Sequence, residues 1–493
     1  MRARLNTPGK RIACVTVIMA FLWGAMIVSQ GLRGACHSAD WSLMSEVGRR
    51  VSVGDTLYVE AMDQKGPLCY ATYAIAWLIM RTQLGTYVFS NIAIWLLLTI
   101  SSGIAALMVE EGRKPWCHIL TQALIVGVIF VPHVGCVEQW LVPFGMLGAL
   151  WVRRLARGRR VPDYCWVILG LAATYALWVK FTCCAQFVFL ACYAISREQT
   201  KGVRRALCIA GASCILSSIV VIVWLWLAGS WGGTLEFYLL AASDGYAGRM
   251  SMLQHIANGN PSTTHLTSFV VGLPLAVWAI AMIARTARRR IPVILGGIAY
   301  IVCCFATFVG YYRFQLAPLV VLGACELYGA PWRLPVLSWL DEHLGRARII
   351  AVLSLIGIAA ATNYTCKGTT NMMNKSTELI STLHRTIGDE NSVLVWQFDH
   401  TWVYGELGLE CYYPMPARYN ASQDLWDYTA GIDLETGKWR YVVVSIREGN
   451  LDVGDYASVG DGSYPVIAVA ANMAILDGEA TQSPLTNQPY RTP

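Results

Sequence analysis

The alternation of long apolar runs with short basic connections is the feature that most limits this chain. Apolar stretches recur from Ile12–Gln30 through to Ile349–Asn363, and every second connection between them is rich in Lys and Arg. Within hydrocarbon, every backbone polar group must be satisfied inside the chain, so runs of this kind fold as helices that cross a bilayer. The charge content agrees. Only 14% of the residues are charged and 55% are hydrophobic, whereas a soluble domain carries about 25% charge. The 19 Trp and 23 Tyr suit a molecule with two membrane–water interfaces, where amphipathic rings are favoured.

Orientation follows from the basic residues. Arg2, Arg4, Lys10 and Arg11 precede an apolar run longer than the roughly 7–15 residues of a signal-peptide core, so the segment reads as a retained signal anchor. Counting onward gives about eleven crossings. About 22 of the 38 Lys and Arg fall at the N-terminus and in the connections that share its side, which places that side in the cytoplasm. The chain beyond the last crossing is then outside. The formal net charge of +7 therefore reports topology, and nucleic acid is not an expected partner. Most of the 16 Cys lie inside apolar runs, as do Cys183, Cys184, Cys303 and Cys304, where they act as small hydrophobes. No Cys/His spacing suggests zinc. Cys36 and Cys69 flank the first outer connection, and spacing alone does not decide whether they are bridged.

The expected architecture is a polytopic α-helical membrane domain over residues 1–363, with long outer loops at 33–66 and 232–265. The segment Pro67–Leu84 is apolar but interrupted by Arg81, so it suits the interface better than a crossing, and Tyr87–Val109 reads as the second crossing. Residues 364–493 have the composition of a soluble domain. Thr377–Ile387 has helical periodicity, while Ser392–Phe398 and Tyr441–Ile446 are Val-rich runs of strand length. Tyr464–Leu476 reads as a further strand or hairpin, giving a small extracytoplasmic α/β domain.

The residues with chemical potential lie on the outer side. The first loop carries Asp40, Glu46, Asp55, Glu60, Asp63 and Lys65; tight turns and the second long loop add Glu138, Lys180, Arg249, Tyr312 and Arg313. Asp55 and Glu60 read as solvated interfacial charges. Glu138 and Lys180 sit beside long apolar runs with little polar cover, where a charge is costly unless paired or functional. As a set these residues suit sugar transfer from a lipid phosphate. Such a leaving group needs cationic stabilisation more than a general acid, and Lys65, Lys180 and Arg313 supply it. The acceptor hydroxyl needs a base, for which a carboxylate such as Asp40 serves. A second acid, Asp63 or Glu138, orients that base or binds a divalent cation.

The order of the motifs resembles the GT-C membrane glycosyltransferases, in the branch shared by protein O-mannosyltransferases and lipid A aminoarabinose transferases. The first loop reads Asp40, a gap, Gly54-Asp55-Thr56-Leu57-Tyr58, then Asp63-Gln64-Lys65-Gly66-Pro67. Downstream, Val137-Glu138 leads into Pro143, Leu169–Ala173 is followed by Lys180-Phe181-Thr182, and Gly310–Arg313 precedes Pro318. The resemblance implies an inverting transferase that uses a polyprenyl-phosphate sugar, hexose or pentose, at the outer membrane face. The acceptor would be a glycan, lipid or protein. The resemblance carries over Asp40, Asp63 and Glu138 as catalytic and Lys65 and Lys180 toward the substrate; Arg249, Tyr312 and Arg313 join the substrate side by position only, and Asp63 and Glu138 are the candidate ligands should a divalent metal bind. The family often has adjacent acids where this chain has Asp40-Trp41, so Glu46 stays a rival base. It commonly has Lys-Pro-Pro where this chain has Lys65-Gly66-Pro67. The alternative class is a secondary transporter or lipid flippase. Its ionisable groups would sit near the membrane midplane, often within repeats, whereas here the acids cluster in outer loops.

Overall fold

The computed structural model describes residues 8–31, 39–63, 65–109, 115–129, 137–197, 201–240, 272–305, 314–328, 369–390, 392–396, 401–409, 439–446, 451–459, 462–470, 473–479 and 490–491. Its first part is helical. The helices are α1 (Pro8–Gly31), α2 (Ala39–Val53), α3 (Pro67–Met80), α4 (Gln83–Val109), α5 (Pro115–Ile129), α6 (Val137–Ala156), α7 (Asp163–Val179), α8 (Ala185–Ser196), α9 (Lys201–Leu227), α10 (Leu273–Thr286), α11 (Arg290–Phe305) and α12 (Ala317–Leu327). Among the described residues, Gly9–Val28, Gln83–Val109 and Gly202–Leu227 are long and apolar enough, by length and composition, to cross a membrane. The last expected crossing, Ile349–Asn363, lies outside the described residues.

Close approach of small residues holds these helices together, as expected where lipid removes the hydrophobic drive between them. A Cβ on Gly170 of α7 would meet the Ala210 carbonyl of α9 at 2.4 Å, and one on Gly323 of α12 would meet the Leu275 carbonyl of α10 at 2.1 Å. Polar ties supplement the packing. Trp23 of α1 donates its indole N–H to Ser102 of α4 at 3.0 Å, and Trp95 donates to the Ala20 carbonyl at 2.7 Å. At the end of α6 opposite Glu138, buried Arg153 pairs with Glu326 of α12 at 3.0 Å.

Two parts of the first outer segment differ from expectation. The stretch 33–66 is not a loop throughout, because Ala39–Val53 forms α2. Trp41, Met44, Val47 and Val51 recur at helical spacing, and the first three are buried. Next, the apolar run after Pro67 stops at Arg81, whose left-handed backbone (φ 56°) caps α3 with an N–H to the Trp77 carbonyl. Helix α4 then begins at Gln83, earlier than the expected Tyr87.

The C-terminal part is a mixed six-stranded sheet with helices α13 (Thr369–Thr386) and α14 (Trp402–Leu407). Its strands are β1 (Val393–Val395), β2 (Tyr441–Ser445), β3 (Tyr456–Val459), β4 (Gly462–Ala470), β5 (Met473–Asp477) and β6 (Tyr490–Arg491), in the order β1-β2-β5-β4-β3-β6. β1 and β2 are parallel, β2, β5, β4 and β3 are successively antiparallel, and β6 runs parallel to β3. Alternation divides the side chains between two faces. Val393, Val395, Val443 and Ile475 meet Leu379 and Leu383 of α13, while Leu394, Val442, Val444 and Leu476 meet Trp396 and Trp439. The expected hairpin over Tyr464–Leu476 is the β4–β5 pair.

Candidate active site

The site is built on one backbone hydrogen bond. Gly66, just ahead of α3, donates its N–H to the Val179 carbonyl at the end of α7, at 3.0 Å. The residues that follow and precede these two are Lys180 and Lys65, so the bond brings the two lysine backbones into register. A Cβ at Gly66 would sit 2.0 Å from the Trp178 carbonyl oxygen and 3.0 Å from the Tyr238 ring. A proline there would lose the N–H as well. This accounts for glycine at the middle position of Lys65-Gly66-Pro67.

The loop before Lys65 is pinned by two tyrosines. Tyr70 donates its hydroxyl to the Asp63 carboxylate at 2.7 Å and accepts the Lys65 N–H at 2.9 Å. Tyr58 donates to the Lys65 carbonyl. Tyr58 has φ 61°, an uncommon conformation for a bulky side chain that marks local strain. Its own N–H goes to the Ala61 carbonyl at 2.8 Å, and its ring meets Tyr70 edge to face. Burial pushes the Tyr58 phenol well above its ordinary range, so it stays a donor at neutral pH. Neither tyrosine was singled out for a role from the sequence. Their signal was two aromatic hydroxyls flanking Asp63-Gln64-Lys65.

Glu138 lies in the first turn of α6, where the helix N-terminus favours an anion. Its carboxylate accepts the Lys180 ammonium. Glu138 is 1% and Lys180 6% exposed, so each depends on the other; removing one partner of such a pair leaves an uncompensated charge. Among the described residues, the second Glu138 oxygen has no hydrogen-bond partner. Gln315, just ahead of α12, donates to the Glu138 backbone carbonyl at 2.8 Å, and among the described residues its own buried amide oxygen has no hydrogen-bond partner. Gln315 also escaped sequence reasoning, although a glutamine inside Phe314–Pro318 is a polar residue in an apolar run. The buried Cys69 thiol lies within electrostatic reach of Lys65, Asp63, Glu138 and Lys180. Cys69 is a free thiol against the Met44 sulfur at 3.6 Å.

The remaining acids of the first segment have structural partners. Asp55 pairs with Arg50 at 2.6 Å. Exposed Glu60 accepts the Thr56 N–H at 2.6 Å, which holds its carboxyl below the usual range. Glu46 is buried and gripped by Arg49 at 2.7 and 2.8 Å; burial raises its carboxyl while Arg49 pulls the other way. Asp40 occupies the first turn of α2, and its side chain lies outside the described residues. Arg249, Tyr312 and Arg313 also lie outside them. Among the described residues, no three His, Cys, Asp or Glu side chains converge as a metal site. Asp63 and Glu138 are engaged by Tyr70 and Lys180, so a divalent cation there needs further ligands from outside the described set.

The fold is similar to that of a solved aminoarabinose transferase of the branch that the sequence motifs resemble. The crystal structure of ArnT from Cupriavidus metallidurans bound to undecaprenyl phosphate superposes with a TM-score of 0.61, over 96% of this chain and 99% of that one, at 12% identity. The cryo-EM structure of the arabinofuranosyltransferase AftD from Mycobacteria gives a TM-score of 0.47 at 15% identity, over 94% of this chain and 40% of that one. No protein-family model and no curated protein sequence matches the chain.

Proposed function

We propose that this protein transfers a sugar, hexose or pentose, from a polyprenyl-phosphate donor to an acceptor at the outer face of the membrane. The observation that carries the reading is the buried cluster of Lys65, Asp63, Glu138 and Lys180, assembled by the Gly66–Val179 bond at the ends of apolar helices. A lipid phosphate anchored in the bilayer presents its charge at this depth, and two lysines that are already desolvated bind it strongly. The similarity to a structure that holds undecaprenyl phosphate supports the same donor class here.

In this reading the acceptor oxygen attacks the anomeric carbon from the face opposite the phosphate, with inversion. The bond from that carbon to the phosphate oxygen breaks, and its electron pair leaves with the polyprenyl phosphate. Asp40 takes the acceptor proton. Lys65 and Lys180 stabilise the charge that grows on the leaving phosphate. Glu138 and Asp63 hold the cationic and tyrosyl groups in place, with Arg249, Tyr312 and Arg313 completing the substrate side. No step requires a metal. The N-terminus is cytoplasmic, and residues 364–493 are outside.

The test is turnover by the purified chain in nanodiscs. A panel of undecaprenyl-phosphate-linked hexoses and pentoses is offered with envelope extract as acceptor, and release of undecaprenyl phosphate is measured. Release of undecaprenyl phosphate that needs both acceptor and Lys65 supports the reading. Failure to bind undecaprenyl phosphate at all would remove it.

A further inference from the structure

Helix α2 carries Asp40 at one end, yet it is 15 residues long, a length at which an isolated helix is marginal in water. Its shape must come from what packs on it. One flank is α3. A Cβ on Gly48 would fall 2.4 Å from the Tyr73 Cβ, and Trp77 donates its indole N–H to Ser45 at 2.9 Å. The other flank is the C-terminal domain. Ser42 and Thr401 share a hydrogen bond of 2.9 Å, with both residues fully buried. Arg49 is held by Glu46 on its own helix and donates across the seam to the Leu409 carbonyl at 2.8 Å.

The domain side of this seam is stiff. Trp402, Val403, Tyr404 and Leu409 belong to the core that α13 makes with the sheet. The Tyr404 hydroxyl accepts the Val395 N–H of β1 at 2.9 Å, and Gly408 closes α14 in the left-handed region at φ 68°. A Cβ on Gly405 would meet the Gln83 amide of α4 at 2.6 Å, so the short helix is wedged against the membrane helices too. Ser42, Ser45 and Glu46 are polar residues buried at 0–2% exposure, an arrangement that only a fitted partner makes tolerable.

We propose that Ser42, Arg49 and Thr401 are positioning residues, through which the docked C-terminal domain fixes α2 and so places the base at Asp40. The proposal rests on the reading of Asp40 as that base. Ser42 is two residues from Asp40, so the hydrogen bond to Thr401 acts within the same helical turn. The domain is thereby part of the catalytic frame and not a separate appendage.

The test uses the full chain in nanodiscs, with turnover and donor KM for the undecaprenyl-phosphate sugar that the panel identifies. Thr401→Val and Arg49→Met are expected to lower kcat roughly 10- to 100-fold, the scale for a misplaced catalytic group. Donor KM should stay the same, since Lys65 and Lys180 are untouched, and Thr401→Ser should restore kcat. A merely structural lesion would instead lower the amount of folded protein and undecaprenyl phosphate binding together. The pair Ser42→Cys and Thr401→Cys, joined as a disulfide and confirmed by mass spectrometry of the linked peptides, should keep wild-type turnover. If the locked enzyme is dead and reduction revives it, docking is not the active state and the proposal falls. Wild-type kcat in Thr401→Val and Arg49→Met, in an enzyme that Asp40→Asn abolishes, overturns the seam alone. Full turnover in Asp40→Asn overturns the base and the seam with it.

Discussion

Replacing Gly66 with alanine isolates the contact that organises the site. The added Cβ falls 2.0 Å from the Trp178 oxygen and 2.5 Å from its carbonyl carbon. Ordinary contact begins at 3.4 Å, so the two backbone segments must part by about 1.4 Å, in an interior packed with few voids. The Gly66 N–H to Val179 bond, now 3.0 Å, does not survive that separation. Overpacking costs about 1–3 kcal/mol and the lost bond about 1 kcal/mol, so roughly 2–4 kcal/mol falls on the junction between Lys65 and Lys180. Carried into phosphate binding, this range corresponds to about 30- to 1,000-fold in affinity. The assay is undecaprenyl phosphate binding to the purified variant, with thermal stability measured alongside. Gly232→Ala is the control, because a Cβ there has no neighbour within 4 Å, and it should behave as wild type. Gly66→Ala with unchanged affinity would show that the register of the two lysines does not set the phosphate site.

Other outcomes follow from the same geometry. Lys65→Met should weaken undecaprenyl phosphate binding at least tenfold while leaving the fold intact, as judged by melting temperature, whereas Lys180→Met should also destabilise the protein by about 3–5 kcal/mol because Glu138 is left buried and alone. Asp40→Asn should lower turnover about 10²–10⁴-fold at unchanged donor binding; Glu46→Gln, which frees Arg49 but removes no base, should leave measurable turnover, and the reverse pattern would make Glu46 the base. Dialysis against EDTA should leave turnover unchanged, and loss restored by magnesium would establish a metal with ligands beyond Asp63 and Glu138. Protease added to intact spheroplasts should remove the C-terminal domain, and full protection would invert the topology.

The helical membrane architecture was legible because hydrocarbon permits so few solutions, and the alternating basic connections are what the proposed orientation rests on. Lys65, Glu138 and Lys180 stood out for the same reason, since a charge beside an apolar run is expensive and therefore conspicuous, and the structure buries all three. What escaped was structure whose cause lies far away in the chain. Helix α2 is polar by composition, and its buried polar residues meet partners distant in the chain, Ser42 with Thr401 and Ser45 with Trp77. The spacing of Trp41, Met44, Val47 and Val51 was the local clue. Helix α14 has six residues, too few to show a period. The role of Gly66 was invisible because it depends on Trp178 and Val179, more than a hundred residues away.

Helix α6 is fastened at both ends, by Glu138 to Lys180 of the α7 terminus and by Arg153 to Glu326 of α12. A slide of even one turn, about 5.4 Å, would strand four charges at once. The two ion pairs therefore oppose a piston-like slide of this helix along its axis. Between the two fastenings stands Pro143, which cannot supply the N–H that the Gln139 carbonyl would otherwise receive. The break in the hydrogen-bond ladder at Pro143 is thus the point about which α6 can flex, between two ends that ion pairs hold.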